Sequence, residues 1–236
     1  MKEEVFEAGR EEMVKLLSQF EIVAHPSIPT KPYAHRIPTD YPSLIGRGTS
    51  SLVFELPPVD VDDRRYHLVG KGFKYEQTST TEEIPEDELH LVGCKVGFGD
   101  SWGLEENIYW LRQMNLGVDI PEARQYSRRF GRQIWETKYT NFTIMPDLRE
   151  DGQYQVGEAD DSLFEKLSNG TELKATRDNA CRRVISESRR LGLSILPDEN
   201  HGNEEDVLPA LEHMFLIQYS GKEGRLSLGD LNHLLI

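Results

Sequence analysis

The stretch Leu44-Ile45-Gly46-Arg47-Gly48-Thr49-Ser50-Ser51-Leu52-Val53-Phe54-Glu55-Leu56 (LIGRGTSSLVFEL) decides what kind of fold this chain adopts. Two short β-like runs flank a glycine-rich turn, and Leu52, Phe54 and Leu56 alternate along the second run as a half-buried strand requires. The pattern is strand, turn, strand. A Rossmann or P-loop phosphate loop needs a helix N-terminus directly after its glycines, so this turn belongs to neither class. A glycine turn inside a hairpin can still fold over a phosphate chain, because glycine lets backbone N–H groups approach closely. An ordinary tight hairpin uses the same residues.

Upstream, Phe6, Met13, Leu16, Leu17 and Phe20 recur at helical spacing among charges, which predicts an amphipathic helix over residues 3–20 packed on the body. Residues 25–43 hold five prolines and two histidines and read as an extended connector. Downstream, YHLVGKGFKYE (66–76) and LHLVGCKVGF (89–98) are β-like, parted by the acidic, hydroxyl-rich QTSTTEEIPEDE, which reads as an exposed loop. A helix follows, capped by Asp100 or Ser101, with Leu104, Ile108, Leu111 and Met114 on one face and Gly117 and Pro121 at its end. Further β-like segments lie at about 122–130 and 133–146, up to the turn-rich MPDLREDG. Residues 160–193 read as helical, with Ala180, Val184, Ser188 and Leu191 as their small and apolar stripe. HMFLIQYS and GRLSLGDL form a hairpin joined by GKEG. Strands with one helix among them, then helices and a hairpin, indicate an α+β fold in two lobes.

The 236 residues are 37% hydrophobic, enough for a sizeable core, and the formal charge of -14 argues against a general nucleic-acid binder. Cys94 and Cys181 sit in apolar or helical patterns and read as buried, reduced thiols. The charged start MKEEVFEAGREEM and the lack of a long apolar run lead us to expect no membrane association and a cytoplasmic protein. The arginines of the long helix (Arg177, Arg182, Arg183, Arg189, Arg190) and of ARQYSRRFGR read chiefly as solvated faces balancing the acidic remainder.

Several residues suit phosphate chemistry. Lys95 lies in LVGCKV, and Gly93, two positions earlier on the same strand face, leaves room for a flat ligand beside its ammonium. An edge-strand lysine facing solvent would look the same. Glu106 on the following helix can pair with such a lysine, with Glu105 as the neighbouring alternative. LPDENHGN (196–203) sets Asp198 and Asn203 five positions apart around a His-Gly pair, and Asp230 ends a β-like run after Gly229. Asp198, Asn203 and Asp230 together offer hard oxygens for Mg2+ and a carboxylate to orient an acceptor hydroxyl.

Glycine hairpin, strand lysine, helix glutamate, Asp-x4-Asn loop and β-hairpin aspartate occur in an order that resembles the protein-kinase-like superfamily. DENHGN is similar to the Asp-x-His-x-Gly-Asn loop of antibiotic phosphotransferases and some phage kinases, and KVGF, a helix and GVDIP resemble the early-gene serine/threonine kinases of lytic phages. The resemblance spans residues 44–236. It implies a kinase-like two-lobed α+β fold, with a β-rich N-lobe at 44–148 and a reduced helical C-lobe at 149–236 that ends soon after the metal-binding Asp. Residues 1–43 would form a separate N-terminal helix and Pro-rich connector. By the same resemblance Gly46, Gly48, Thr49 and Ser50 would cover the phosphates of ATP, and Lys95 would contact them while paired with Glu106. Met145 to Leu148 would hold adenine through backbone groups. Asp198 would be the base, and Asn203 and Asp230 the magnesium ligands. If a shorter lysine spacing applies, Lys71 in LVGKGF takes the phosphate role and 88–98 is an insertion; direct passage from its strand into the Glu106 helix favours Lys95.

The implied activity is transfer from ATP, with Mg2+, to Ser or Thr of a protein substrate or host partner. Leu196-Pro197 stands where the family carries His-Arg or His-Gly, and Asp230-Leu231-Asn232 where it carries Asp-Phe-Gly. These departures favour, as a second reading, an inactive pseudokinase serving as a protein-binding module. The HGN triplet suggests a third, a small-molecule phosphotransferase, although only six residues follow Asp230 to build an acceptor pocket.

Overall fold

A computed structural model describes residues 1–24, 33–48, 51–73, 88–93, 104–130, 138–150, 152–192, 194–195, 211–229 and 234–235. The fold is α+β, and the chain divides into two compact units, Met1–Ser101 with Ala123–Asp147 and Trp102–Glu122 with Leu148–Ile236.

The first unit contains α1 (Glu3–Leu17), β1 (Glu21–Ala24), β2 (Tyr33–Pro38), β3 (Leu44–Arg47), β4 (Ser51–Glu55), β5 (Val59–Val61), β6 (Arg64–Tyr66), β7 (Leu68–Phe73) and β8 (Glu88–Gly93). Beyond α2 (Leu104–Gln113), which groups with the other unit, it resumes with β9 (Arg124–Phe130) and β10 (Lys138–Pro146). Five strands form an antiparallel sheet in the order β3-β4-β7-β10-β9. The apolar stripe of α1 (Val5, Phe6, Met13, Leu16, Leu17) is buried in one cluster with Leu52, Phe54, Leu68, Phe142 and Ile144. Close approach depends on glycine. A Cβ on Gly9 would sit 2.6 Å from Leu68 Cδ1 and 2.8 Å from Ile144 Cγ2, and one on Gly70 would collide with Met13 Sδ.

A second sheet, β1-β2-β8, is also antiparallel. Its middle strand runs through the proline-rich region that the sequence reads as a connector. Pro38 closes β2 at its end, and the strand lies between prolines instead of containing one in its interior. His35 on β2 is fully buried, and its Nε2 lies 2.8 Å from Thr140 Oγ1 on β10. Burial pushes the His35 pKa down from 6.5 to about 4, partly offset by a hydrogen bond with the Leu17 backbone.

The second unit holds α2, β11 (Gln155–Glu158), α3 (Asp161–Phe164), α4 (Gly170–Leu191), β12 (Ser194–Ile195), β13 (Phe215–Ser220), β14 (Glu223–Leu228) and β15 (Leu234–Leu235). The sequence reading counts α2 with the β-rich lobe. Its place in the second unit has a backbone cause: Asp119 N–H donates to Leu226 O at 3.1 Å, and Leu228 N–H to Asp119 O at 2.9 Å, so the segment after α2 lies along β14. Strands β11, β13 and β14 form an antiparallel sheet. The Asn169 side chain fastens the start of α4 to β14, donating to Gly224 O at 2.8 Å and accepting from Gly224 N–H at 3.1 Å.

Arg177, grouped by sequence with solvated arginines, is buried at 5% exposure. Its guanidinium donates to Ala159 O at 2.7 Å, meets Asp178 and Glu212 at 2.9 and 3.3 Å, and lies 5.1 Å from the Phe164 ring centre. The remaining α4 arginines, Arg182, Arg183, Arg189 and Arg190, are exposed.

Two outcomes are expected. His35 is neutral in the folded state below the pH at which it charges in the unfolded chain, so its contribution to stability is lost as pH falls from about 6.5 towards 4. Urea unfolding of wild type and His35→Gln should diverge in pH dependence between pH 7 and 4.5 by on the order of 2–3 kcal/mol; parallel profiles would refute this. Any Cβ on Gly170 meets the Phe164 carbonyl oxygen, a backbone atom that cannot swing aside. Gly170→Ala should therefore lower unfolding free energy by about 1–3 kcal/mol, read from the urea midpoint.

Candidate functional site

The glycine hairpin forms as its sequence requires. Gly46 faces Val53 and Arg47 faces Leu52 across β3 and β4, with a register shift between Leu44 and Gly46. Gly48 N–H donates to Ser51 O at 2.8 Å, closing the turn, while Thr49 and Ser50 lie outside the described residues. A Cβ on Gly46 would approach Val53 Cβ to 3.2 Å.

Alternation along β7 sorts its side chains. Leu68, Gly70 and Gly72 face α1 and β8, as Met13 and Leu91 beside the two glycines show, so Val69 and Lys71 face the opposite side of the sheet. Lys71 stands mid-sheet, paired across to Val53 on β4 and Thr143 on β10. Met145 opposes Val69 in the same way, and Val69, Thr143 and Met145 are all buried while Lys71 is half-buried. One sheet face thus presents a lysine amid Val53, Val69 and Met145.

Lys95 lies outside the described residues. The strand before it, β8, is at the edge of the three-stranded sheet and pairs with β2, away from the strands that carry the glycine turn. Glu106 and Glu105 are exposed on α2, whose buried side is Leu104, Asn107, Ile108 and Leu111.

The end of β10 is the covalent passage from the first unit to the second, with the boundary between Asp147 and Leu148. Asp147 N–H donates to His67 O at 2.9 Å. Sides alternate in an antiparallel pair, so Pro146, opposite Leu68, turns its carbonyl away from β7. Strand β9 begins at Arg124, opposite Ile144, and does not extend beside Pro146. The Leu148 N–H has no hydrogen-bond partner among the described residues, whereas Leu148 O accepts from the Gln218 amide.

Asp198, Asn203 and Asp230 lie outside the described residues. Antiparallel pairing of β12 with β15 sets Ile195 opposite Leu234. At the other end, Gly229 N–H donates to Met214 O at 2.8 Å where the β13–β14 hairpin opens. Asp198 is three residues beyond Ile195, and Asp230 directly follows Gly229.

Sequence reasoning overlooked Gln218, and placed Pro146 only within the backbone run from Met145 to Leu148. An alternating FLIQYS strand gives no sign that its glutamine is buried, and a proline carbonyl acquires direction only through the register of its neighbours. Among the described residues there is no group of three or more His, Cys, Asp or Glu able to hold a metal ion, and no helix long and apolar enough to cross a membrane. No family model, curated protein or solved structure matches the chain.

Proposed function

We propose that the chain is an ATP- and Mg2+-dependent phosphotransferase of protein-kinase-like build, transferring phosphate to a Ser or Thr hydroxyl of a protein. The observation that carries this reading is the face of the first unit's sheet on which Lys71, beside the glycine turn, stands amid Val53, Val69 and Met145. Asp198, Asn203 and Asp230, the proposed base and metal ligands, lie outside the described residues.

The same unit adds further support. Its glycine turn joins the first two strands of a five-stranded sheet, and the next strand in that sheet carries a lysine. In protein kinases the phosphate lysine lies on the third strand. On that basis we assign the role to Lys71 in place of Lys95, with 88–98 as an insertion whose described part, Glu88–Gly93, belongs to the other sheet. The apolar Val53, Val69 and Met145 suit the faces of a flat base.

In this reading Lys71 offsets phosphate charge and the amides of residues 46–50 lie over the phosphates. Asp198 accepts the proton of the acceptor hydroxyl as its oxygen bonds to the γ-phosphorus and the bond to the bridging oxygen of ADP breaks. Asn203 and Asp230 would hold magnesium, which when bound neutralises phosphate charge. Leu196-Pro197 favours the inactive binding module as the second reading.

Transfer from γ-labelled ATP, with nucleotide binding followed by Mg2+-dependent thermal stabilisation, tests both. Asp198→Ala should lower transfer by about a hundredfold or more while binding persists. Lys71→Met should cost a similar factor, with Lys95→Met close to wild type. Binding without transfer in the wild type would support the module, absence of both would overturn the proposal, and loss confined to Lys95→Met would return the phosphate role to Lys95.

A further inference from the structure

Helix α4 buries Ala180, Cys181, Val184, Ile185 and Ser188, and turns Arg182, Arg183, Ser186, Arg189 and Arg190 to the surface. Arg182 and Arg183 precede Ser186 by four and three residues, and Arg189 and Arg190 follow it by three and four. Those are the separations at which helical side chains are neighbours, so four guanidiniums surround one small hydroxyl. Two rows result. Arg182 and Arg189, seven residues apart, run along one flank of the serine, and Arg183 with Arg190 runs along the other, each row about 10 Å long.

The helix itself offers these arginines little neutralisation. Arg190 Nε donates to Glu187 Oε2 at 2.8 Å, and Glu187 is the one acidic residue in the sequence from Arg182 to Gly192. Arg182 reaches the neutral Asn179 at 3.4 Å, and the Arg183 guanidinium has no hydrogen-bond or ion-pair partner among the described residues. The helix macrodipole favours cations in the last turn, which accounts for Arg189 and Arg190. It fades within that turn and does not reach Arg182 and Arg183. Solubility does not require the cluster either, since a surface serving that purpose intersperses charges of both signs. Here four charges of one sign gather on a chain whose formal charge is -14.

We propose that this face of α4 docks an extended acidic segment of a partner protein. Successive side chains of an extended chain point to opposite sides, so a run of Asp or Glu laid over Ser186 sends alternate carboxylates to the two arginine rows. The small serine between the rows lets the backbone of the partner come close. Guanidiniums suit the task because their planar fork meets a carboxylate with two hydrogen bonds and sheds water readily. The negative charge of the rest of the chain repels the same segment elsewhere and steers it to this face. The surface serves whether or not the chain transfers phosphate.

The test is fluorescence anisotropy of the full chain with fluorescein-labelled decaglutamate at moderate ionic strength. Arg182→Gln with Arg183→Gln, and Arg189→Gln with Arg190→Gln, should each weaken binding by about three- to tenfold, and the four changes together by about thirtyfold. Ser186→Glu sets a carboxylate of the chain's own among the four arginines and should weaken the peptide by about three- to tenfold as an internal competitor. Arg64→Gln with Arg65→Gln removes the same charge from exposed positions on β6 and should leave binding unchanged. All of these positions are exposed, so the variants keep the fold, as circular dichroism would check. Peptide binding that is absent in the wild type, survives the fourfold change, ignores Ser186→Glu or falls equally in the Arg64 and Arg65 control would overturn the proposal. Tighter binding of labelled oligothymidylate than of decaglutamate through the same arginines would overturn it in favour of a nucleic-acid surface.

Discussion

A helix can lie directly on a β-sheet only where the sheet beneath it offers little side-chain bulk. In the first unit Gly9 on α1 and Gly70 on β7 meet that condition, and Leu68, Phe142 and Ile144 fill the space around the contact. Burial of this cluster, at about 25 cal/mol per Å2 of apolar surface, fixes which side of the five-stranded sheet is core. Everything else on the sheet follows from that choice. Because side chains alternate, commitment of Leu68 and Gly70 to α1 leaves Val69 and Lys71 no option but the opposite face, and the register carries Val53, Thr143 and Met145 with them.

The sequence makes the elements legible wherever the signal is local. The amphipathic stripe of α1, the glycine turn between β3 and β4, the apolar spacing of α2 and the β13–β14 hairpin all sit where periodicity and turn chemistry put them. What it hides is partnership. The two LVG-containing strands look alike by composition, yet β7 is central in one sheet and β8 is at the edge of another, a difference carried by pairing with strands far away in sequence. Lys95 is set apart in the sequence by its adjacency to a helix, whereas the neighbours of Lys71, Val53 and Thr143, are far from it in the chain. The same limit applies to Arg177, whose burial depends on Ala159, Phe164 and Glu212.

Polar groups divide between holding the fold and remaining available. His35 is committed to Thr140, Asn169 to Gly224 and Arg177 to a carbonyl and two carboxylates, each fastening one element to another. Pro146 O points to a side of β10 that β9 does not cover, and Leu148 N–H is without a partner among the described residues.

The short parallel contact of Asp119 with β14 alters how the chain can come apart. It draws residues 102–122 into the second unit although the sequence on both sides belongs to the first, so the chain passes between units at 101/102, 122/123 and 147/148. No single cut separates them: cleavage after Asp147 would leave α2 and Asp119 on one fragment and β14, against which Asp119 is zipped, on the other. A fragment meant to keep the second unit whole must therefore retain residues 102–122 together with 148–236.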